Sequence, residues 1–469
     1  MHQLLENDKK QFKAILHDAV KVAEEYLERQ NSLPPGRFVK DIVLEDLPLK
    51  GENALKTIQY FKQHYAPYIT NSAGPRYFGF VTGGSTPAAV AGDWLVSAFD
   101  QNACGSNDTI APQVERQTIH YFKQLFGLDD AYFGSFVTGA TVSNQVGLTL
   151  GRQWVGEQLG IDFSLEGVYG VVPVKVVSAT PHSSVLKSMA VLGMGKNTLV
   201  KIDTLPDREA IDILALEKYL QSVNSPVIVV ANAGTVNTVD FDDLEAIGKL
   251  KAKYNFWLHV DAAFGGFAAL SEKYAHLMQG INHADSITID AHKWLNVPYD
   301  AAMQFTRHKK LQLKVFQNSA AYLGDPEQSP DYFHYTPENS RRWRALPSWF
   351  TIKAYGKEGH REIVERNSAS AYSLGEKIKH SEDFKLLAPV RMNVVCFTLK
   401  KTTSFDEVRA FLNAVRDDGR VFFTPTLYKG TPAIRAAISN WQTTEADIQL
   451  AFDVLKEVLH AKKKITVST

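Results

Sequence analysis

The chain has 469 residues, 45% of them hydrophobic, and its 51 Lys and Arg are balanced by 51 Asp and Glu. Zero formal charge excludes a protein built mainly to bind nucleic acid or an anionic membrane, since both partners call for a basic excess. The length exceeds one simple core and predicts a large domain with a smaller companion.

In chain order, residues 1–10 carry acids and no apolar core, so they do not read as a signal peptide. No run approaches the roughly 18 apolar residues of a membrane helix, and the cytoplasm is the expected compartment. Cys104 and Cys396 stand in no metal or redox spacing and read as reduced, buried thiols. Residues 8–30 predict an amphipathic helix, with Phe12, Ile15, Leu16, Ala19, Val20, Ala23 and Leu27 near helical spacing and Pro34-Pro35-Gly36 beyond it. Its apolar face is expected to pack on a partner subunit or on its own domain.

From about residue 76, short apolar strands alternate with helical stretches. Strands are predicted at 134–137, 174–179, 199–202, 226–231, 256–260, 286–289 and 302–306, with helices such as 141–158 and 242–254 between them. That alternation predicts an α/β domain around a mainly parallel seven-stranded sheet. In such sheets ligands sit outside the carboxyl ends of the strands. A second α/β pattern near residue 344 predicts a helix at 349–367, strands at 393–399, 420–424 and 433–438, and a last helix at 447–461. The expected division is a helical arm (1–75), a large domain (76–343) and a small domain (344–469).

The chemistry-bearing residues fall at those strand ends. Thr138-Gly139-Ala140-Thr141 leads into a helix, where free N–H groups, the helix dipole and the Thr141 hydroxyl suit a phosphate; a plain turn with Thr as N-cap is the structural alternative. No dinucleotide or Walker fingerprint and no metal-protease or zinc-ribbon spacing is present. His182 ends the next strand, where it could lie over a heteroaromatic ring or serve a turn. Asn232-Ala233-Gly234-Thr235 ends another, either as a cofactor rim or as an Asn-Gly turn. Trp257-Leu258-His259-Val260-Asp261 is an apolar strand ending in a carboxylate. Thirty-two residues on, Lys293 follows Ser286–Ile289 within Asp290-Ala291-His292-Lys293-Trp294. A lysine and an acid at neighbouring strand ends match the two fixed partners of pyridoxal phosphate, an amine for the aldehyde and an Asp for the ring nitrogen.

With these segments in place, the chain from about Tyr77 to the C terminus resembles the group II pyridoxal-phosphate-dependent amino acid decarboxylases. Pro75-Arg76-Tyr77-Phe78-Gly79-Phe80, Gly83-Gly84-Ser85, Pro181-His182-Ser183-Ser184, Ser340-Arg341-Arg342-Trp343-Arg344 and Tyr355-Gly356 add to the likeness. The resemblance implies a type I, aspartate aminotransferase-like fold and a homodimer with its site at the subunit interface. It implies α-decarboxylation of an L-amino acid, with an aromatic substrate favoured. Acidic amino acids or diaminobutyrate, aldehyde synthesis, lyase or transamination chemistry, and a silent cofactor-binding protein are the alternatives.

Residue by residue, the resemblance implies that Lys293 anchors the aldehyde, Asp261 keeps the pyridine nitrogen protonated, and His182 stacks on the ring. Ala140, Thr141, Asp290 and His292 would border the phosphate, with Ala263 on the opposite ring face. Thr82 and Thr235 would add contacts. Tyr332, nine residues before Arg341, reads as the loop tyrosine that protonates the substrate carbon, with Tyr335 as its competitor and 324–330 as a polar lid. Tyr77, Phe78, Phe80 and Phe264 suggest an aromatic wall. Arg341, Arg342, Arg344 and Arg435 could serve an acidic substrate or structural carboxylates. Asp290 stands where aromatic decarboxylases carry Asn, and an anion beside a phosphate is odd unless it accepts from backbone or from His292.

Overall fold

The computed structural model describes residues 1–39, 41–105, 109–168, 170, 173–318, 331–401 and 404–467, the last six as backbone alone. The alternation seen in the sequence forms seven strands: β1 Phe133–Val137, β2 Val176–Ser178, β3 Leu199–Lys201, β4 Val227–Asn232, β5 Phe256–Asp261, β6 Ser286–Ile289 and β7 Ala302–Thr306. They build one sheet in the order β1-β7-β6-β5-β4-β2-β3. Pairing is parallel from β3 through β6, while β7 runs antiparallel to both β6 and β1.

Both faces of the sheet are covered, which is why its strands read as continuous apolar runs. In β4, Val227, Val229 and Ala231 enter one core, and Ile228 and Val230 enter the other beneath the helix Ala140–Gln158. Asn232, Asp261 and Thr288 stand side by side across β4, β5 and β6. The carboxyl ends of the parallel strands therefore share one edge, and the reversed β7 starts on that same edge.

A second, antiparallel sheet follows: β8 Phe384–Leu386, β9 Val394–Leu399, β10 Thr424–Tyr428 and β11 Thr431–Ala437, in the order β10-β11-β9-β8. The strand expected at 420–424 begins only at Thr424. The residues ahead of it pair elsewhere: Phe422 donates its N–H to the Arg76 carbonyl and accepts from Phe78 N–H. The helix Ala345–Lys379 outruns its expected bounds, interrupted by non-helical Gly356.

The amino-terminal helix expected at 8–30 is two helices, Gln3–Lys10 and Phe12–Glu28, and neither has a buried residue. Leu5, Phe12, Leu16 and Leu27 are exposed. Among the described residues no helix is long and apolar enough to cross a membrane, and both cysteines are buried and unpaired.

Three of the four candidate arginines are structural. Arg341 is buried: it donates to the Phe136 carbonyl at 2.6 Å and the Ala103 carbonyl at 3.1 Å, and pairs with buried Glu115 at 2.8 Å. Glu115 in turn accepts the Phe136 N–H at 2.9 Å, so the pair clasps β1 just before the turn that leads to the helix at Ala140. Arg342 pairs with Asp93, and Arg344 with Asp300 and Glu338.

Candidate active site

A cavity of about 470 Å³ opens at the shared strand edge, within the usual range for a small-molecule site. β1 delivers Gly139, Ala140 and Thr141; the region after β2 delivers His182; β5 delivers Asp261, Ala263 and Phe264; β6 delivers Asp290, His292 and Lys293. The end of β4 delivers Asn232, Gly234 and Val236, and Thr180, Tyr299 just before β7, Arg435 on β11, Phe80 and Val81 complete the wall. Gly139 is the N-cap of the helix that starts at Ala140, so Thr141 lies inside the first turn rather than capping it.

Lys293 is not an isolated amine. Its Nζ is 3.5 Å from Asp290 Oδ2 and 5.7 Å from the centre of the Phe264 ring. Asp290 Oδ2 also accepts the Ala140 N–H at 3.3 Å, so the carboxylate caps the helix N-terminus that the sequence assigns to an anion. His292 Nδ1 takes the Ala301 N–H at 3.3 Å and lies 3.2 Å from Asp290 Oδ1. Burial pushes the His292 pKa down. In the neutral ring the Nδ1 lone pair then faces Oδ1, which is left without a hydrogen bond. The acid that looked misplaced in sequence thus has a backbone donor and an ammonium, while its contact with His292 is close but not bonding.

The backbone around Lys293 is equally constrained. A Cβ on Gly83 would lie 1.8 Å from the Lys293 carbonyl oxygen, so the first glycine of Gly83-Gly84-Ser85 is there for close approach rather than for a turn.

Asp261 accepts from Asn144 Nδ2 at 2.9 Å and from the Ala263 N–H at 3.2 Å. His182 caps the helix Ser183–Val191; its Nδ1 takes the Ser184 N–H at 3.3 Å and lies 2.8 Å from Ser184 Oγ. Burial lowers its pKa, which keeps a neutral ring in the cavity wall. His259, beneath the wall, is fully buried and its pKa is pushed down to about 4 by the same cause.

A depressed histidine pKa ties stability to pH. The folded state resists the proton that the unfolded state binds, so the stabilisation is complete above about pH 6.5 and is lost as pH falls toward 4. His259→Gln has no such proton site. The parent's stability margin over this variant is expected to shrink by roughly 3 kcal/mol across that window. Urea unfolding of both proteins at pH 7 and pH 4.5 checks it, and a margin independent of pH would contradict it.

Several sequence expectations are corrected. Thr235 is buried with its hydroxyl on Glu209 Oε2 at 2.6 Å, so that it braces the loop from below instead of facing the cavity. Thr82 sits just behind the wall, 3.3 Å from the Tyr299 hydroxyl. Phe78 belongs to the core of the second sheet and Tyr77 stacks on Phe422, leaving Phe80 and Phe264 of the four proposed wall aromatics.

Tyr332 is not at the cavity. It is 1% exposed, its ring lies 4.7 Å from the Arg341 guanidinium, its N–H is bonded to the Cys104 carbonyl, and burial pushes its phenol far above the ordinary pKa. Tyr335 is buried against Phe133. Both pack beside β1 and neither lines the cavity of this chain. The expected lid at 324–330 lies outside the described residues.

Tyr299 was missed because nothing marks it in sequence except its place ahead of the reversed strand. Arg435 was named only as one arginine of four. Its guanidinium is buried, donates to the Val236 carbonyl at 3.1 Å, leaves Nε without a partner, and is paired with no carboxylate among the described residues. Burial lowers its pKa to about 10.

The donor set fits pyridoxal phosphate. One cavity brings together a lysine amine, a buried carboxylate, a neutral imidazole, a helix N-terminus and an incompletely bonded guanidinium. Comparison with known proteins agrees. The family model described as the pyridoxal-dependent decarboxylase conserved domain matches residues 35–400. The aromatic-L-amino-acid decarboxylase of Bacillus atrophaeus is 26% identical over 100% of this chain and 99% of its own. Among solved structures, Oryza sativa TDC with PLP and tryptamine superimposes with a TM-score of 0.88 at 21% identity, covering 97% of this chain and 98% of its own. Rhodiola rosea 4-hydroxyphenylacetaldehyde synthase gives 0.86 at 19% identity, covering 96% and 98%.

Proposed function

Because the chain belongs to the pyridoxal-dependent decarboxylase family, and is therefore a pyridoxal-phosphate-dependent carboxy-lyase, we propose that it decarboxylates an aromatic L-amino acid to carbon dioxide and the corresponding amine. The carrying observation is the balance of charge in the cavity. Lys293 has Asp290, the two histidines are held toward neutrality, and Arg435 alone among the described cations of the wall lacks a carboxylate. One guanidinium without a carboxylate partner suits the one α-carboxylate that every amino acid carries. An acidic side chain would need a second cation, and the wall offers Phe80, Phe264 and Tyr299 beside the smaller Thr180, Asn232 and Val236.

In this reading Lys293 would hold the cofactor through its amine. Asp261 would keep the ring nitrogen protonated, and the Thr141 N–H of the first helical turn would serve the phosphate beside Ala140, Asp290 and His292, the Ala140 N–H being held by Asp290. His182 would cover the ring and hold a proton at Nε2, its Nδ1 being turned to Ser184. Arg435 orients the carboxylate, and the aromatic wall excludes water. When bound, pyridoxal phosphate supplies the electron sink that takes up the electrons of the broken bond. The exposed apolar face of the first two helices is covered by a second copy in a homodimer, and the unpaired thiols suit the cytosol.

A panel of L-amino acids with product identification by mass tests the assignment. Aromatic amines with equimolar carbon dioxide are expected. Aldehyde in place of amine would move the chain to the chemistry printed for the Rhodiola neighbour, and turnover of acidic substrates alone would overturn the aromatic assignment. Arg435→Met is expected to lower kcat/KM about 100-fold for every substrate, the cost of losing a charge-assisted bond to the carboxylate, while retaining cofactor. An unchanged kcat/KM would remove Arg435 from substrate binding.

A further inference from the structure

Beneath the cavity floor, one face of β5 carries Trp257, His259 and Asp261, which the two-residue period of a strand places in line. Only Asp261 reaches the cavity. The other two are fully buried, as are Asn144 and Ser286 beside them. A buried face of this kind is ordinarily apolar, because an unpaired polar group in a low-dielectric interior is costly. Here the polar groups form one continuous series. Trp257 Nε1–H donates to Ser286 Oγ at 3.0 Å, and Ser286 Oγ is 2.8 Å from His259 Nδ1. His259 Nε2 is 2.9 Å from Asn144 Oδ1. Asn144 Nδ2 donates at 2.9 Å both to Asp261 and to Ser184 Oγ, which is 2.8 Å from His182 Nδ1.

Hydrogen-bond chemistry fixes every proton in this series. The Asp261 carboxylate accepts only, so the Asn144 atom facing it is the amide nitrogen, and the oxygen faces His259. An amide oxygen accepts only, so His259 carries its proton on Nε2, and its bare Nδ1 takes the Ser286 hydroxyl proton. Ser184 accepts from Asn144 and so points its own proton at His182 Nδ1, where the Ser184 backbone N–H also points.

We propose that Asn144, His259 and Ser286 act as a buried positioning relay, which holds the Asp261 carboxylate and fixes His182 as the tautomer that presents Nε2–H to the cavity. The proposal rests on the cofactor reading above and extends it to residues that touch neither cofactor nor substrate. The low pKa of His259 agrees, since a charged ring would put a proton on Nδ1 and turn the series around. The packing agrees as well. A Cβ on Gly147, one turn beyond Asn144, would lie 2.4 Å from His259 Nδ1, so the covering helix carries glycine where the imidazole needs room.

Two measurements test this. With ¹⁵N-histidine label, two-bond ¹H–¹⁵N correlation on the cofactor-free protein is expected to show Nε2–H in both His182 and His259. A proton on Nδ1 of either overturns the relay. Separately, His259→Leu is expected to weaken pyridoxal phosphate binding about tenfold, the scale of one lost bond in a charged network. It should also shift the bound cofactor's absorbance toward the unprotonated ring. His259→Gln, whose Nε2 can still donate to Asn144, is expected to recover binding to within about twofold of the parent by that same retained bond. Parent-like binding and absorbance in His259→Leu would discard the relay. A His259→Leu protein that does not fold leaves the decision to the tautomers and to Gly147→Ala, which displaces the ring without removing a polar group and is expected to weaken binding in the same direction. Failure of the parent itself to bind the cofactor would sink the reading on which the relay rests, while the tautomers would still decide the relay.

Discussion

Lys293→Ala is expected to lose decarboxylase activity by on the order of 10⁴-fold, the upper range for removing a group that handles a proton or a bond in the transition state. The lysine is held for this task from three sides. Asp290 Oδ2 stands 3.5 Å from its Nζ, the Phe264 ring lies beneath the ammonium, and Gly83 presses on its carbonyl with no space for a side chain. The decisive readout is covalent. After borohydride reduction, the parent should carry the cofactor's mass on the peptide containing Lys293, and the variant should carry none. Reducible cofactor on another lysine of the variant would mean that the anchor has been misassigned.

The second large effect concerns stability. Arg341→Ala is expected to destabilise the fold by about 3–5 kcal/mol, because it leaves the buried Glu115 carboxylate without its partner. It also frees the Phe136 and Ala103 carbonyls that Arg341 now satisfies. Thermal melts of parent and variant measure the loss. Combining Arg341→Met with Glu115→Gln should recover part of it, since a buried ion pair replaced on both sides costs far less than one broken on one side. A single variant as stable as the parent would show that the clasp contributes nothing to β1.

The strands of the large sheet were legible because burial on both faces makes them short apolar runs, and the punctuation between them is regular. Their carboxyl ends predicted where Lys293, Asp261 and His182 would meet. The polar face of β5 was not legible: Trp257-Leu258-His259-Val260-Asp261 reads as an apolar strand, and only the helix packed on it reveals that alternate positions are hydrogen-bonded. β8 is three residues long, too short for a period to show. Phe422 falls within the strand expected at 420–424, yet its backbone partners lie more than 300 residues away at Arg76 and Phe78. Spacing to Arg341 fixes the sequence position of Tyr332 and not its direction, and in this chain its ring packs on that arginine.

The segment from Arg76 to Ser85 touches more of the molecule than its length suggests. At one end Phe78 bonds to Phe422 and to Ala437 at the end of β11. At the other, Gly83 abuts the Lys293 carbonyl, and the Ser85 carbonyl accepts from Trp441 Nε1 at 2.9 Å. The carboxyl-terminal sheet is thereby strapped to the backbone of the reactive lysine. The same strap sets Arg435, carried by that sheet, in register with the Lys293 side of the cavity.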